Sequence, residues 1–396
     1  MPAASPSPLT FDCIVVGGGP AGLTTAIALG KAGARTALVA RRVAYGDNRT
    51  TALLGRSLDL LERLGVWRRC AEAAAPLRAM RLVDDTGRLI RAPEVRFDCA
   101  EIGLETFGFN IENRTLVAAL EAASDECRNL TRIDNEAERI VPADATVEAR
   151  THDGQTLVAP LVVGADGRRS LCREAAGIAV TRRSLDQAAV TFNVSHSRPH
   201  HDASTEFHTP HGPCVFVPLP GNRSSVVWVT TPAEAERLVA MSDAALAQAA
   251  ERQSHSILGT MQVAPGRHSF PLAIERPQQV AARRIALVGE AAHVIPPIGA
   301  QGLNLGLRDA ADLAAIAGAA LARDEDPGAP ATLSRFAAAR RADVASRVWS
   351  VDLANRSLIA DLLPVQAARA LGMHMLAHVG PLRRIAMREG LSPSWR

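Results

Sequence analysis

Phe11-Asp12-Cys13-Ile14-Val15-Val16-Gly17-Gly18-Gly19-Pro20-Ala21-Gly22 is a short apolar run that ends in glycines. It reads as a buried parallel strand entering a tight turn. The following LTTAIALGKAG is rich in helix formers and is closed by Gly33; Thr36-Ala37-Leu38-Val39 then supplies a second strand. Together they make a βαβ unit. Within it, Gly17-x-Gly19-x-x-Gly22 is the dinucleotide fingerprint. Its first glycine makes the turn, its second admits a pyrophosphate, and its third lets helix and strand pack closely. The anion would sit on the helix N-terminus, where free N–H groups and the helix dipole favour it. The fingerprint also expects an acid after the second strand, but Ala40-Arg41-Arg42 stands there and the next acid is Asp47. Arginines at that place suit either a ribose 2′-phosphate, as in NADP, or a solvated surface.

Outward from this unit, composition narrows the class. Lys and Arg total 44 against 41 acids, a net +3, so no dedicated nucleic-acid surface is expected. At 47% hydrophobic over 396 residues, the chain suits two or three packed domains. No run of about 18 apolar residues suggests a membrane-spanning helix. MPAASPSPLT lacks the charge and apolar core of a signal peptide. The six cysteines are scattered, which fits reduced cytosolic thiols and no metal site.

Further along, 53–69 reads as an amphipathic helix with Leu54, Leu58, Leu61 and Leu64 on one face, and 116–123 as a second helix. Between about 186 and 230, alternating β-branched stretches separated by turns predict an antiparallel sheet. Arg284-Ile285-Ala286-Leu287-Val288-Gly289 restarts the α/β pattern and leads to a long Ala-rich helix; 340–396 reads as helical, broken at Pro364, Pro381 and Pro393. The expected fold is α/β: a discontinuous Rossmann-like nucleotide-binding domain (10–75, 98–183 and 280–340) with an inserted antiparallel β-sheet substrate domain (76–97 and 184–279) and a C-terminal helical segment (341–396). The ligand should lie between the domains.

Two later motifs complete the pattern. Gly164-Ala165-Asp166-Gly167 is a strand-to-turn stretch, and Gly289-Glu290-Ala291-Ala292-His293 precedes Pro296-Pro297-Ile298-Gly299-Ala300-Gln301-Gly302-Leu303-Asn304. With Arg49-Thr50-Thr51, Asn113-Arg114-Thr115 and Val217-Pro218-Leu219, the chain resembles the class A flavoprotein monooxygenases, the aromatic-ring hydroxylases. Within them it looks most like the ubiquinone-biosynthesis ring hydroxylases. The resemblance spans nearly the whole chain. It implies that Gly17, Gly19 and Gly22 approach the FAD pyrophosphate, that Arg49 and Arg114 brace the cofactor, and that Asp166 lies near the pyrophosphate and the reductant route. Glu290 occupies the place of an aspartate that bonds the ribityl chain. Gly299, Gln301, Gly302, Leu303 and Asn304 would present a helix N-terminus to the flavin, and Pro296 and Pro297 would wall its ring. With Ala40 and Glu290 altering two anchors, each worth ~1.5–3 kcal/mol, FAD retention should be weaker than is usual for the family.

The implied reaction uses NADH or NADPH and O₂, and passes oxygen from a flavin C4a-hydroperoxide to an electron-rich ring. A base would make a phenol more nucleophilic; with Tyr45 the single tyrosine, His196, His208 and His211 are the sheet's candidates, while His293 is expected to shape the flavin loop. Val190, Phe192, Phe207, Val215, Phe216, Val217 and Trp228 either line a pocket for a prenylated ring or form the sheet's core. The segment 362–387 combines Leu, Met and Val with arginines. It is a candidate for a membrane surface, for quinone-biosynthesis complex partners, or for packing on its own domain. The implied substrate is a polyprenylated phenol, and the expected location is cytoplasmic with peripheral attachment at the inner face of the membrane. Two alternatives stand beside this reading. One is a hydroxylase of a small soluble aromatic acid, which would need Arg198 or Arg223 in the pocket; the other is a flavin-poor scaffold subunit.

Overall fold

The computed structural model describes residues 7–42, 48–360 and 362–391. Tyr45, Asp47 and Pro393 lie outside them. The first half of the chain forms β1 (Cys13–Val16), α1 (Pro20–Lys31), β2 (Thr36–Val39), β3 (Thr50–Leu54), α2 (Arg56–Arg63), β4 (Ala79–Asp84), β5 (Val95–Asp98), β6 (Gly108–Glu112), α3 (Asn113–Asp125), β7 (Leu130–Ile133), β8 (Leu161–Gly164) and α4 (Leu171–Ala175). The second half adds β9 (Val180–His196), β10 (Ala203–Thr209), β11 (Gly212–Leu219), β12 (Arg223–Thr230), α5 (Pro232–Ala240), α6 (Asp243–Gln253), β13 (His268–Pro277), β14 (Ile285–Leu287), α7 (Gln301–Leu321), α8 (Pro330–Ile359), α9 (Leu363–His378) and α10 (Gly380–Leu391).

The nucleotide-type sheet runs in the order β14-β8-β1-β2-β7, with Ala281–Ala282 added antiparallel beside β14. The four pairings among these five strands are parallel, and β14, β8, β1 and β2 are buried on both faces and read as mostly apolar text. Leu23, Ile27, Val15, Leu38 and Leu307 share one core beneath α1 and α7.

A larger sheet orders its strands β9-β12-β11-β10-β4-β5, with β13 pairing alongside β9. Its pairs are antiparallel except for β10 with β4, which run parallel. The sheet therefore unites a piece of chain before residue 100 with a later one. Val190, Phe192, Phe207 and Phe216 point to one face, where Leu238, Leu246 and Ala250 of α5 and α6 seal them. These four are core, and Trp228 packs against the same cluster; Val215 and Val217 lie on the opposite face by strand alternation.

One local reading is corrected and another is observed. The helix expected over 53–69 begins only at Arg56, because Leu53 and Leu54 pair with β6 and Gly55 turns the chain at φ +41°. The expected breaks at Pro364 and Pro381 are observed: α8 ends at Ile359 and α9 at His378, and each proline sits in the opening turn of the next helix, where a missing N–H costs nothing.

Candidate active site: two helix N-termini meeting in one cradle

Helix α1 starts at the fingerprint. A Cβ on Gly17 would lie 2.3 Å from the Ala165 carbonyl oxygen, and one on Gly22 would lie 2.0 Å from that of Gly17. These two glycines are demanded by close backbone approach. Gly19 differs: a Cβ there meets nothing within 4 Å. The space beside it is open, and Gly19 is the N-cap of a helix with no side-chain cap and no acid in its first turn. Four backbone N–H groups at such an end need partners.

Helix α7 repeats the device. Gly302, in its first turn, also has open space where a Cβ would be. Its N-cap Ala300 has φ +54° after Gly299 at +63°, a left-handed pair that aims successive N–H groups outward, and again there is neither side-chain cap nor first-turn acid. The two helix starts are neighbours: a Cβ on Gly289 would be 2.9 Å from the Ala21 Cβ, and one on Gly306 would be 3.3 Å from that same atom. Residues 272 positions apart in the chain (289 − 17) thus form one cradle.

Side chains behind the cradle hold the second helix start. Asp309, on α7, accepts from the Gly289 N–H at 3.0 Å, from His293 Nε2 at 2.7 Å and from Arg340 Nε at 2.6 Å. Arg340 also donates to Asp312, and Arg308 donates to Asp343 at 2.8 Å. Burial alone would raise the Asp309 carboxyl, but the Arg340 guanidinium, then His293, hold it well below the usual carboxylate range. Burial likewise disfavours the charged Arg340, yet Asp309, Asp343 and Asp312 raise it further above its ordinary value. Sequence reading gave His293 a shaping role and missed Asp309, Arg340 and Asp343. The i, i+3 spacing of Arg340 and Asp343 on a helix was the available signal.

The remaining expected residues fall as follows. Asp166 sits beside Gly17, and both its oxygens are engaged, by Ser170 Oγ at 2.6 Å and the Cys172 N–H at 3.0 Å. It fixes the turn next to the fingerprint. Asn304 is committed in the same way: Nδ2 donates to the carbonyls of Ala52 and Ala300, and Oδ1 accepts from the Leu54 N–H. Its side chain ties α7 to β3, leaving only its backbone for a ligand. Gln301 donates to the Gly299 carbonyl, Leu303 packs into the core, Pro296 is buried and Pro297 is exposed. Glu290 is exposed and has no hydrogen-bond or ion-pair partner among the described residues. Arg49 places its guanidinium 5.0 Å from the Phe270 ring centroid, at the boundary between the two sheets. Arg114 pairs with Glu112, which also binds Arg223 at 2.8 Å.

At the adenosine end, Arg42 is bound by Asp125, and its N–H donates to Asp134 at 2.8 Å; Arg41 faces Glu136 at 3.9 Å. These arginines are balanced surface charges rather than a phosphate clamp. Arg132, unremarked in the sequence, lies against Gly18 and pairs with Glu121, while its Nε and Nη2 are buried without a hydrogen-bond partner among the described residues.

Of the three histidines expected near substrate, His196 is on the face sealed by α5 and α6. It is held by the Arg198 carbonyl at 2.7 Å and Ser224 Oγ at 3.0 Å, and burial lowers its pKa. His211 is exposed in a turn. His208 is buried on the opposite face, with Nε2 3.0 Å from Glu206. Five of the six thiols are buried and Cys127 is half-buried; burial pushes Cys70 up to about 11.

The donor set fits FAD. Two uncapped helix ends with open glycines offer N–H groups to a pyrophosphate and to an electron-rich ring, and no first-turn carboxylate opposes them. Comparisons with known proteins agree. A family described as FAD binding domain matches residues 10–350. Ubiquinone hydroxylase UbiL of Rhodospirillum rubrum is 35% identical, over 96% of this chain and 89% of its own. The 3-demethoxyubiquinol 3-hydroxylase of Escherichia coli K12 is 30% identical over 96% and 98%. The crystal structure of p-nitrophenol 4-monooxygenase PnpA from Pseudomonas putida superposes with a TM-score of 0.78 at 22% identity, covering 97% of this chain and 98% of that one, which speaks to fold. A nucleotide cradle built from distant segments, an inserted sheet and a family match over residues 10–350 place this chain in the class A FAD-dependent monooxygenase family.

Proposed function

We propose that the protein hydroxylates the ring of a polyprenylated phenol in ubiquinone biosynthesis, using NADH or NADPH and O₂. The observation that carries this reading is the cradle of α1 and α7, together with similarity over most of the chain to two proteins named as ubiquinone-type hydroxylases. Bound FAD would supply hydride acceptance and oxygen activation. The chain's part is positional. Gly17, Gly19 and Gly22 admit the pyrophosphate to the α1 N-terminus, with Asp166 fixing the adjoining turn. Gly299, Gly302 and the N–H groups of Gln301, Leu303 and Asn304 face the ring edge, where a helix dipole stabilises negative charge. Glu290 reaches toward the ribityl chain, Arg49 and Arg114 brace the cofactor's flank, and Pro296 and Pro297 keep water from the ring.

A small aromatic acid is disfavoured as substrate. Arg223 is occupied by Glu112, and Arg198 donates to the Ser256 carbonyl at 3.3 Å, so neither offers a free guanidinium for a carboxylate. The test is product formation from a short-prenyl phenol under ¹⁸O₂ with FAD-loaded protein. Incorporation of one labelled oxygen, dependent on NADH or NADPH, is expected. Tight FAD binding with no reductant oxidation and no product would defeat the proposal.

For attachment we propose a membrane surface bearing the quinone intermediates. Among the described residues no helix is long and apolar enough to cross a membrane. Helix α9, however, leaves apolar residues outside: Met373 packs inward beside Phe97 and Arg369 is buried against Asp84 at 2.9 Å, while Leu363 (54%) and Leu371 (62%) are exposed. Leu363, Ala367, Leu371 and Met375 recur every four residues on that outer face. Leu371→Glu should abolish co-sedimentation with phosphatidylglycerol vesicles and leave FAD content unchanged. Equal sedimentation of both proteins would remove the membrane proposal.

A further inference from the structure

Strand alternation divides β9 into two sets. Val190, Phe192 and Val194 enter the core under α5 and α6, so Ala189, Thr191 and Asn193 stand on the other face. In the antiparallel pairing with β13, His268 lies opposite Thr191 and Phe270 opposite Ala189. Directly opposed residues share a face, so Thr191, Asn193, His268 and Phe270 stand together. This face is joined to the cofactor half. The His268 and Phe270 rings stack with centroids 6.2 Å apart, and Arg49 covers Phe270 at 5.0 Å.

Three polar atoms of this group are shielded from solvent and have no hydrogen-bond partner among the described residues: Thr191 Oγ1, Asn193 Oδ1 and His268 Nε2. Asn193 is only 2% exposed. Buried polar groups are nearly always satisfied, and three unsatisfied ones on neighbouring positions signal an absent ligand. That ligand must both donate and accept, since Asn193 Oδ1 only accepts, Thr191 offers a hydroxyl, and a neutral imidazole with its proton on Nδ1 presents a lone pair at Nε2.

We propose that Thr191, Asn193 and His268 form the subsite for the ring hydroxyl of the substrate, with His268 Nε2 as the proton acceptor. The inference rests on the ring-hydroxylase reading above and assigns the residues that reading lacks. The phenol O–H donates to His268 Nε2, and Asn193 Oδ1 accepts from a water that also donates to the phenol oxygen. The proton passes to Nε2, and the Thr191 hydroxyl then donates to the phenolate oxygen. Loss of that proton makes the ring more nucleophilic. His208 is the rival base on this face and its Nδ1 is also buried without a partner among the described residues, but its Nε2 is taken by Glu206 and it lies on β10, three strands away from β9 and its partner β13.

The test uses FAD-loaded protein and 2-prenyl-4-nitrophenol, whose phenolate absorbs visible light, at one pH unit below the probe's solution pKa. The wild type is expected to bind it as the phenolate. His268→Gln should bind it as the neutral phenol, and Thr191→Val and Asn193→Leu should weaken binding about tenfold each while retaining flavin. Thr191→Val changes shape least and keeps the test informative if His268→Gln fails to fold. A phenolate signal that survives His268→Gln, or that is lost in His208→Gln instead, overturns the assignment. A wild type that holds FAD but binds no phenol fails differently: it removes the substrate reading itself, and this subsite with it.

Discussion

The two helix starts that form the cradle reach the same end by different means. The α1 start is made of backbone alone: Gly17 and Gly22 press against carbonyl oxygens, and no side chain braces them. The α7 start instead rests on a buried ionic group, in which Asp309 joins the Gly289 N–H to His293 and Arg340, and on Asn304, which staples it to β3. The contrast has a physical cause. The fingerprint turn connects adjacent strands of one βαβ unit, so local geometry fixes it. The second turn follows a long excursion through the other sheet and has to be held by contacts distant in sequence.

This contrast can be broken by mutation, and the largest effect is expected at Asp309. Asp309→Asn removes one partner of a buried charge group, which costs about 3–5 kcal/mol. Chemical denaturation of the flavin-free protein should reveal it. The native carboxyl titrates below its ordinary range, so its contribution is complete above that range and is lost only as pH falls through the lowered native value. The gap between variant and wild type should therefore be constant from pH 8 to 5 and close only in strong acid. A loss below 1 kcal/mol would mean that α7 stands without its ionic support.

The glycines sharpen the comparison next. Gly22→Ala drives a methyl into the Gly17 carbonyl, and overpacking of this kind costs about 1–3 kcal/mol. Both stability and FAD affinity should fall. Gly19→Ala places its methyl in open space at φ −73°, so the flavin-free melting temperature should hold while FAD titration shows weakened binding. If both variants behave alike, the space beside Gly19 is not the pyrophosphate channel. The smallest effect belongs to the altered anchors. Glu290→Asp and Ala40→Glu should each tighten FAD by about tenfold, the worth of one hydrogen bond to a carboxylate, as read from flavin retained through dialysis.

Much of the architecture was legible because parallel strands and glycine turns leave local marks. Cys13–Val16, Thr36–Val39 and Ile285–Leu287 are apolar runs feeding turns, and they became strands of the parallel sheet. Leu53 and Leu54 were misread because a helical spacing of leucines carries no record of the partner strand that claims them. The cradle glycines were readable by motif, but what lies behind them was not. Asp309, Arg340 and Asp343 become a unit only when α7 and α8 pack. His268 was overlooked for a related reason: it lies well outside the 186–230 stretch, and only the pairing of β13 with β9 brings it opposite Thr191.

The union of Gly19 and Gly302 in one cradle also bears on biosynthesis. A nascent chain that has released only its first domain-like segment holds half a binding site and cannot retain the coenzyme. Loading must wait until α7 has left the ribosome and folded back on α1. Once bound, FAD at a hundredfold excess over its dissociation constant adds about 2.7 kcal/mol to the folded state. Coenzyme supply would then set how much of the newly made chain survives proteolysis.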